Sequence, residues 1–377
     1  MEMGIVREEL YKYWIASIPN IRANKIEAML EFFGNPEDVF LASTKSMYDM
    51  KKFCEKKKIR MTNKNIDFII ASKDMDKINK EYTYLREHGI NFVTKLDDSY
   101  PEKLRHIFDA PFSLYTKGKP FPNHRKAISI VGARECTIYG RETAKYLAAA
   151  IAREGIVVIS GLARGIDSYA HTGAVSVGGS TYGIMGCGID ICYPRENINL
   201  YMEIQDRGGL ISEYGPGEKP LAYHFPMRNR IISGLSDGIL VIEAKEKSGS
   251  LITVDMGLDQ GKNIYAVPGR ISDKLSCGCN NLIKIGAKMV TTPEDIIEDL
   301  LGYSSREEDG QLNFNGLLNA DEQIIYENLT LSPKHMDDLL TITGFEFGQL
   351  MENLLSLELK DMINQPMMNY YVKKLST

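Results

Sequence analysis

Three textures of apolar spacing follow one another along the chain. Over residues 15–41, "IASIPNIRANKIEAMLEFFGNPEDVFL", short stretches of helical period alternate with breakers at Pro19-Asn20 and Gly34-Asn35-Pro36, and the helical period returns over residues 65–88. This predicts a small all-α domain of the helix-hairpin-helix or SAM kind at residues 1–100. Its turn "IPNIRAN" lacks the glycines that let a phosphate approach such helix pairs, so packing and protein contact are its expected roles. Prolines 101, 111, 120 and 122 then mark an extended connection.

From residue 127 the texture changes. Apolar runs of strand length recur as "AISIVG", "IVVISG", "TYGIMG", "GGLISE", "GILVIEA" and "NIYAVPG", separated in most cases by helical segments at 140–154, 167–177, 197–205 and 250–260. Buried strands alternating with helices of this length predict a doubly wound, mostly parallel α/β sheet over residues 101–302. Ligands of this fold class sit at the carboxyl ends of the strands. Residues 303–318 read as a polar linker, and residues 319–377 as three helices and a hairpin, a winged-helix pattern. Its third helix carries Glu346, Glu352 and Glu358, the wrong sign for a polyanion, which favours protein contact over DNA readout.

Charge refines this picture. The net charge is −5, but residues 301–377 hold 5 Lys and Arg against 12 Asp and Glu, while residues 121–300 hold 19 against 20. The middle of the chain is near neutral and can carry a basic patch. No apolar run is long enough for a membrane span, and "MEMGIVREEL" lacks the basic-then-apolar order of a secretory leader, so a cytoplasmic protein is expected. The six cysteines are scattered without a Cys-x-x-Cys pair and read as reduced thiols, with no metal or other cofactor implied.

Three loops could hold anions on one sheet edge: Gly132-Ala133-Arg134, Ser160-Gly161 with Arg164-Gly165, and Ser248-Gly249-Ser250. None belongs to a Gly-x-x-x-x-Gly-Lys-Ser/Thr or a Gly-x-Gly-x-x-Gly motif, and no acidic residue closes the second strand to grip a ribose. His171 reads as a packing residue and Asp167 as a helix N-cap. "HFPMRNR" adds Phe225 beside Arg228, Asn229 and Arg230, an aromatic among arginines of the sort that holds single-stranded nucleic acid by stacking and charge. The alternative is that Phe225 is core and the arginines pair with Glu243 or Asp237.

Together these motifs resemble the DNA-processing protein A family, also called Smf. The matching stretches, in order, are "VGARECTIYG", "SGLARGIDSYAH", "GGSTYGIMGCGIDICYP", "LISEYGPG", "FPMRNRIISGLSDGILVIEAKEKSGSLIT" and "AVPGRISDKLSCGCNNLIKIGA". The resemblance implies an extended Rossmann-like domain that binds single-stranded DNA without sequence preference, dimerises through that domain and loads the RecA recombinase in natural transformation, without being an enzyme. It places Arg134, Ser160, Gly161, Arg164, Gly165, Phe225, Arg228, Asn229, Arg230, Gly249 and Ser250 at the DNA, and the anion loops add Gly132 and Ser248. Lys262 joins them, standing where many members carry arginine. Two other classes stay open: a nucleotide-processing enzyme using Glu243 or Asp255 over a ribose, and a purely protein-binding scaffold.

Overall fold

The computed structural model describes residues 7–302 and 318–374, so most of the expected linker lies outside the described residues. Six helices come first: α1 (Arg7–Ser17), α2 (Ala23–Phe33), α3 (Pro36–Leu41), α4 (Thr44–Lys56), α5 (Asn63–Ala71) and α6 (Met75–Glu87). Polar side chains start four of them. Asn35, Ser43, Thr62 and Asp74 each accept a hydrogen bond from the backbone N–H three residues on, which satisfies a donor that the first turn leaves open.

The sheet begins earlier than the sequence pattern implies. Strand β1 (Asn91–Thr94) pairs antiparallel with β2 (Ser113–Gly118), which lies inside the proline-rich stretch read as a mere connection. The alternating region follows as β3 (Ala127–Gly132), α7 (Ile138–Arg153), β4 (Val157–Ser160), α8 (Ile166–Ser176), β5 (Thr181–Met185), α9 (Ile198–Arg207), β6 (Gly209–Ser212), α10 (His224–Leu235), β7 (Gly238–Ile242), α11 (Gly249–Asp259), β8 (Asn263–Ala266), α12 (Cys277–Lys284), β9 (Lys288–Met289) and α13 (Glu294–Leu301). The strand order is β1-β2-β6-β5-β4-β3-β7-β8-β9. All neighbours from β6 to β9 are parallel.

That order carries the functional argument. The chain winds outward from β3 through β4, β5 and β6, then returns to lay β7 on the other side of β3. The loops after β3 and β7 therefore diverge to opposite faces and leave a crevice between them, the usual ligand position in this class. Apolar clusters fill both faces of the sheet. A third joins the N-terminal helices to Phe112, Tyr115, Met185 and Leu210 of the sheet region.

The winged-helix expectation is met by α14 (Ala320–Asn328), β10 (Lys334–His335), α15 (Met336–Thr343), α16 (Phe347–Leu359), β11 (Ile363–Met367) and β12 (Tyr370–Lys373). Its apolar cluster is drawn from residues of this region alone.

Candidate nucleic-acid interface

A cleft of about 430 Å³ opens at the crevice between β3 and β7. Gly132 and Arg134 form one wall, Ser248, Gly249 and Ser250 at the start of α11 form the other, and Phe225, Arg228 and Asn229 of α10 close it between them. Gly132 is needed where β3 ends: a Cβ there would collide with the Ile242 carbonyl of β7 and the Ile166 side chain of α8. Ser248 caps α11 by accepting from the Ser250 N–H, and the two hydroxyls lie 2.8 Å apart. Gly249 is exposed beside them, with open space where a side chain would stand. The helix thus presents its amino end to the cleft.

Of the four cations that line the cleft, three stand at its surface and one, Arg228, is buried. Arg134, Lys245 and Lys247 are exposed, and among the described residues none has a carboxylate within ion-pair distance. Lys245 and Lys247 escaped the sequence reading although "AKEKSGS" adjoins a loop already singled out; the signal was the pair of lysines that the strand end turns toward the same loop. Half-buried Phe225 packs over Gly186 and faces Tyr193, ring centroids 5.5 Å apart and tilted by 34°. Tyr193, exposed, is a second aromatic that the sequence reading missed.

The loop after β4 behaves differently from expectation. Asp167 is not the N-cap of α8; Gly165 is. The Asp167 carboxyl group turns back and accepts from the Gly161 and Ala163 N–H groups, so the amides expected to receive a phosphate already have an internal acceptor. Burial pushes the Asp167 carboxyl above its usual value, against the opposing pull of Arg228 and of those amides. A Cβ on Gly161 would sit 2.6 Å from an Arg228 nitrogen and 2.7 Å from an Asp167 oxygen, which leaves glycine as the residue that fits. Gly165, at φ 75°, closes on the carbonyls of Ala133 and Arg134 and so locks this loop to the first.

Several residues expected at the DNA already have partners within the protein. Ser160 is fully buried and donates to the Ile130 carbonyl. Arg164 points away and makes a bidentate ion pair with Glu196 at 2.7 and 2.8 Å. Arg228 lines the cleft but is 5% exposed, its guanidinium donating to the Gly161 and Ile184 carbonyls; it holds two strand ends together rather than reaching outward. Arg230 lies outside the cleft, 7% exposed, bidentate to Glu213 at 2.8 Å and near Asp109. Its partners are therefore neither Glu243 nor Asp237. Lys262 donates to the Gly234 carbonyl and also lies outside the cleft. Glu243 accepts from the Thr137 N–H and hydroxyl. His171 is a packing residue as expected, fully buried and bonded to Thr181 at 2.7 Å.

A family profile described as "DNA recombination-mediator protein A" matches residues 91–301, and one described as "DprA winged helix domain" matches residues 317–365. The chain belongs to the DprA family. It is 44% identical over 208 residues to the DNA processing protein DprA of Streptococcus pneumoniae, covering 54% of this chain and 72% of that one. The X-ray structure of DprA from Streptococcus pneumoniae superposes with a TM-score of 0.66 at 34% identity, over 79% of this chain and 99% of that one. A Helicobacter pylori DprA structure, whose description concerns its single-stranded DNA binding mode, gives 0.52 at 28% identity over 56% of this chain and 96% of that one. The DprA profile begins at the first residue of β1, so the antiparallel β1–β2 pair belongs to the matched region.

Proposed function

We propose that this chain binds single-stranded DNA, without sequence preference, in the cleft between β3 and β7. The observation that carries the reading is the ring of Arg134, Lys245 and Lys247 around the half-buried Phe225 and its neighbour Tyr193. Unpaired cations track a phosphate backbone, and an aromatic face takes any base. The DprA relatives and the Helicobacter pylori structure, which concerns single-stranded DNA, support it.

In this reading the protein shields incoming DNA and loads a RecA recombinase during transformation and recombination, in the cytoplasm and without catalysing a reaction. The two carboxylates open to a nucleotide enzyme fit that role poorly. Glu243 is engaged by Thr137, and Asp255 lies exposed on α11 outside the residues that line the cleft. A homodimer through the sheet domain is part of the same proposal. It draws support from β9, a two-residue edge strand that carries exposed Met289 and is preceded by exposed Ile285.

The test is a titration with labelled oligo-dT and with mixed-sequence strands at two salt concentrations. Affinity falls with salt. Arg134→Ala and Lys247→Ala each weaken all sequences alike and flatten the log–log salt slope by about 0.7. Variants that stay folded and bind as tightly as the parent refute the assignment.

A further inference from the structure

A second cavity, 640 Å³ in volume, lies where the N-terminal helices meet the sheet domain. Arg22 and Ala23, at the start of α2, form one side; Tyr214, Tyr223 and His224 form the other. Pro226 lines both this cavity and the cleft, so the two openings meet at the first turn of α10.

The sheet-side wall is aromatic. Tyr214 and His224 stack with centroids 3.9 Å apart and planes at 23°, and Tyr223 meets His224 edge-on at 4.5 Å. Tyr223 is 64% exposed. His224 is 4% exposed, yet its Nδ1 has no hydrogen-bond partner among the described residues, although buried polar atoms are ordinarily paired. Arg230 and its carboxylate neighbours Glu213 and Asp109 also line this space; one cation stands there against two carboxylates, so no positive charge is left over on that side.

The opposite wall is cationic. Arg22 is exposed, with no carboxylate in ion-pair distance among the described residues, and no side chain caps α2. Lys25 stands close by; burial holds its pKa below the usual value, and Arg22 and Arg60 add to that effect. The N-terminal turn without glycines therefore brings positive charge to the mouth of an aromatic cavity, the pairing that suits a base and its phosphate.

We propose that this cavity is a second base subsite: single-stranded DNA running out of the cleft lays a base against the Tyr223–His224–Tyr214 ledge and a phosphate at Arg22 and the start of α2. The proposal rests on the reading of the cleft as a single-stranded DNA site. It gives the N-terminal helices a direct contact with the ligand.

Length dependence separates the two sites. The full chain is titrated with labelled oligo-dT of roughly 6 and roughly 20 nucleotides, the shorter filling the cleft alone. Tyr223→Ala and Arg22→Ala, both at exposed positions, weaken the longer strand about tenfold and leave the shorter unchanged, whereas Arg134→Ala weakens both. Unchanged binding of the longer strand, or equal loss on both lengths, overturns the subsite while leaving the cleft in place. Failure of the unaltered chain to bind either strand overturns the cleft reading and the subsite with it. Iodouracil-substituted oligo-dT gives a second readout: photo-adducts at Tyr223 or Tyr214 support the subsite, and adducts confined to Tyr193 and Phe225 sink it.

Discussion

Asp167 and His171 stand one turn apart on α8, both buried, and the sequence gives no sign that their surroundings differ so much. Asp167 finds two amides and the attraction of Arg228; His171 finds the Thr181 hydroxyl and the Ser160 backbone, with the same Arg228 acting against its charge. Burial drives the His171 pKa down from 6.5 to about 3, so the imidazole is neutral wherever the protein is folded near neutrality. The unfolded chain takes up a proton at this residue as pH falls below 6.5 while the folded chain does not, so the stability present above that pH is lost on acidification. Between pH 7 and pH 5 this residue accounts for ~2 kcal/mol of the loss. Urea unfolding at the two pH values checks it: His171→Gln shrinks the difference by about that amount.

At the scale of elements, α10 shows what periodicity does and does not disclose. Arg228 and Arg230 sit two residues apart, which on a helix means opposite faces. One therefore faces the β4 and β5 strand ends and the other Glu213 and Asp109. Arg228→Met removes the donor to two buried carbonyls and leaves Asp167 without its neighbouring cation, so unfolding free energy drops by about 3 kcal/mol. Asn229→Ala, one position on and facing the cleft, costs less than about 1 kcal/mol. Denaturant midpoints for the two variants decide it. The six central strands and their helices were legible because β-branched runs and helical periods alternate cleanly. Strands β1 and β2 were not: "NFVT" and "SLYTKG" are short, lie either side of prolines and pair antiparallel with each other, so no alternation announces them. The cleft loops were legible from glycines at strand ends. That Asp167 would occupy one of them was not, since it depends on a side chain turning back six residues.

Over the whole molecule, the strand order places one crevice at the meeting of β3 and β7, and the winged helix keeps a core of its own. Glu352 and Glu358 are exposed on α16, beside exposed Phe347, Met351, Leu355 and Leu359, a surface suited to protein rather than phosphate. A chain ending at Gly302 therefore keeps its oligo-dT affinity within about threefold of the full chain in fluorescence anisotropy, and the loss of 12 acids against 5 bases moves any change toward tighter binding. The carboxylate of Asp167 has a last consequence. A loop whose amides are already satisfied from within is ordered before any ligand arrives, so the wall of the cleft has its working shape in the empty protein. The entropy lost on binding then falls on the nucleic acid, and the ease with which each strand unstacks, more than any contact to a base edge, ranks one sequence above another: pliant pyrimidine runs ahead of self-stacked purines.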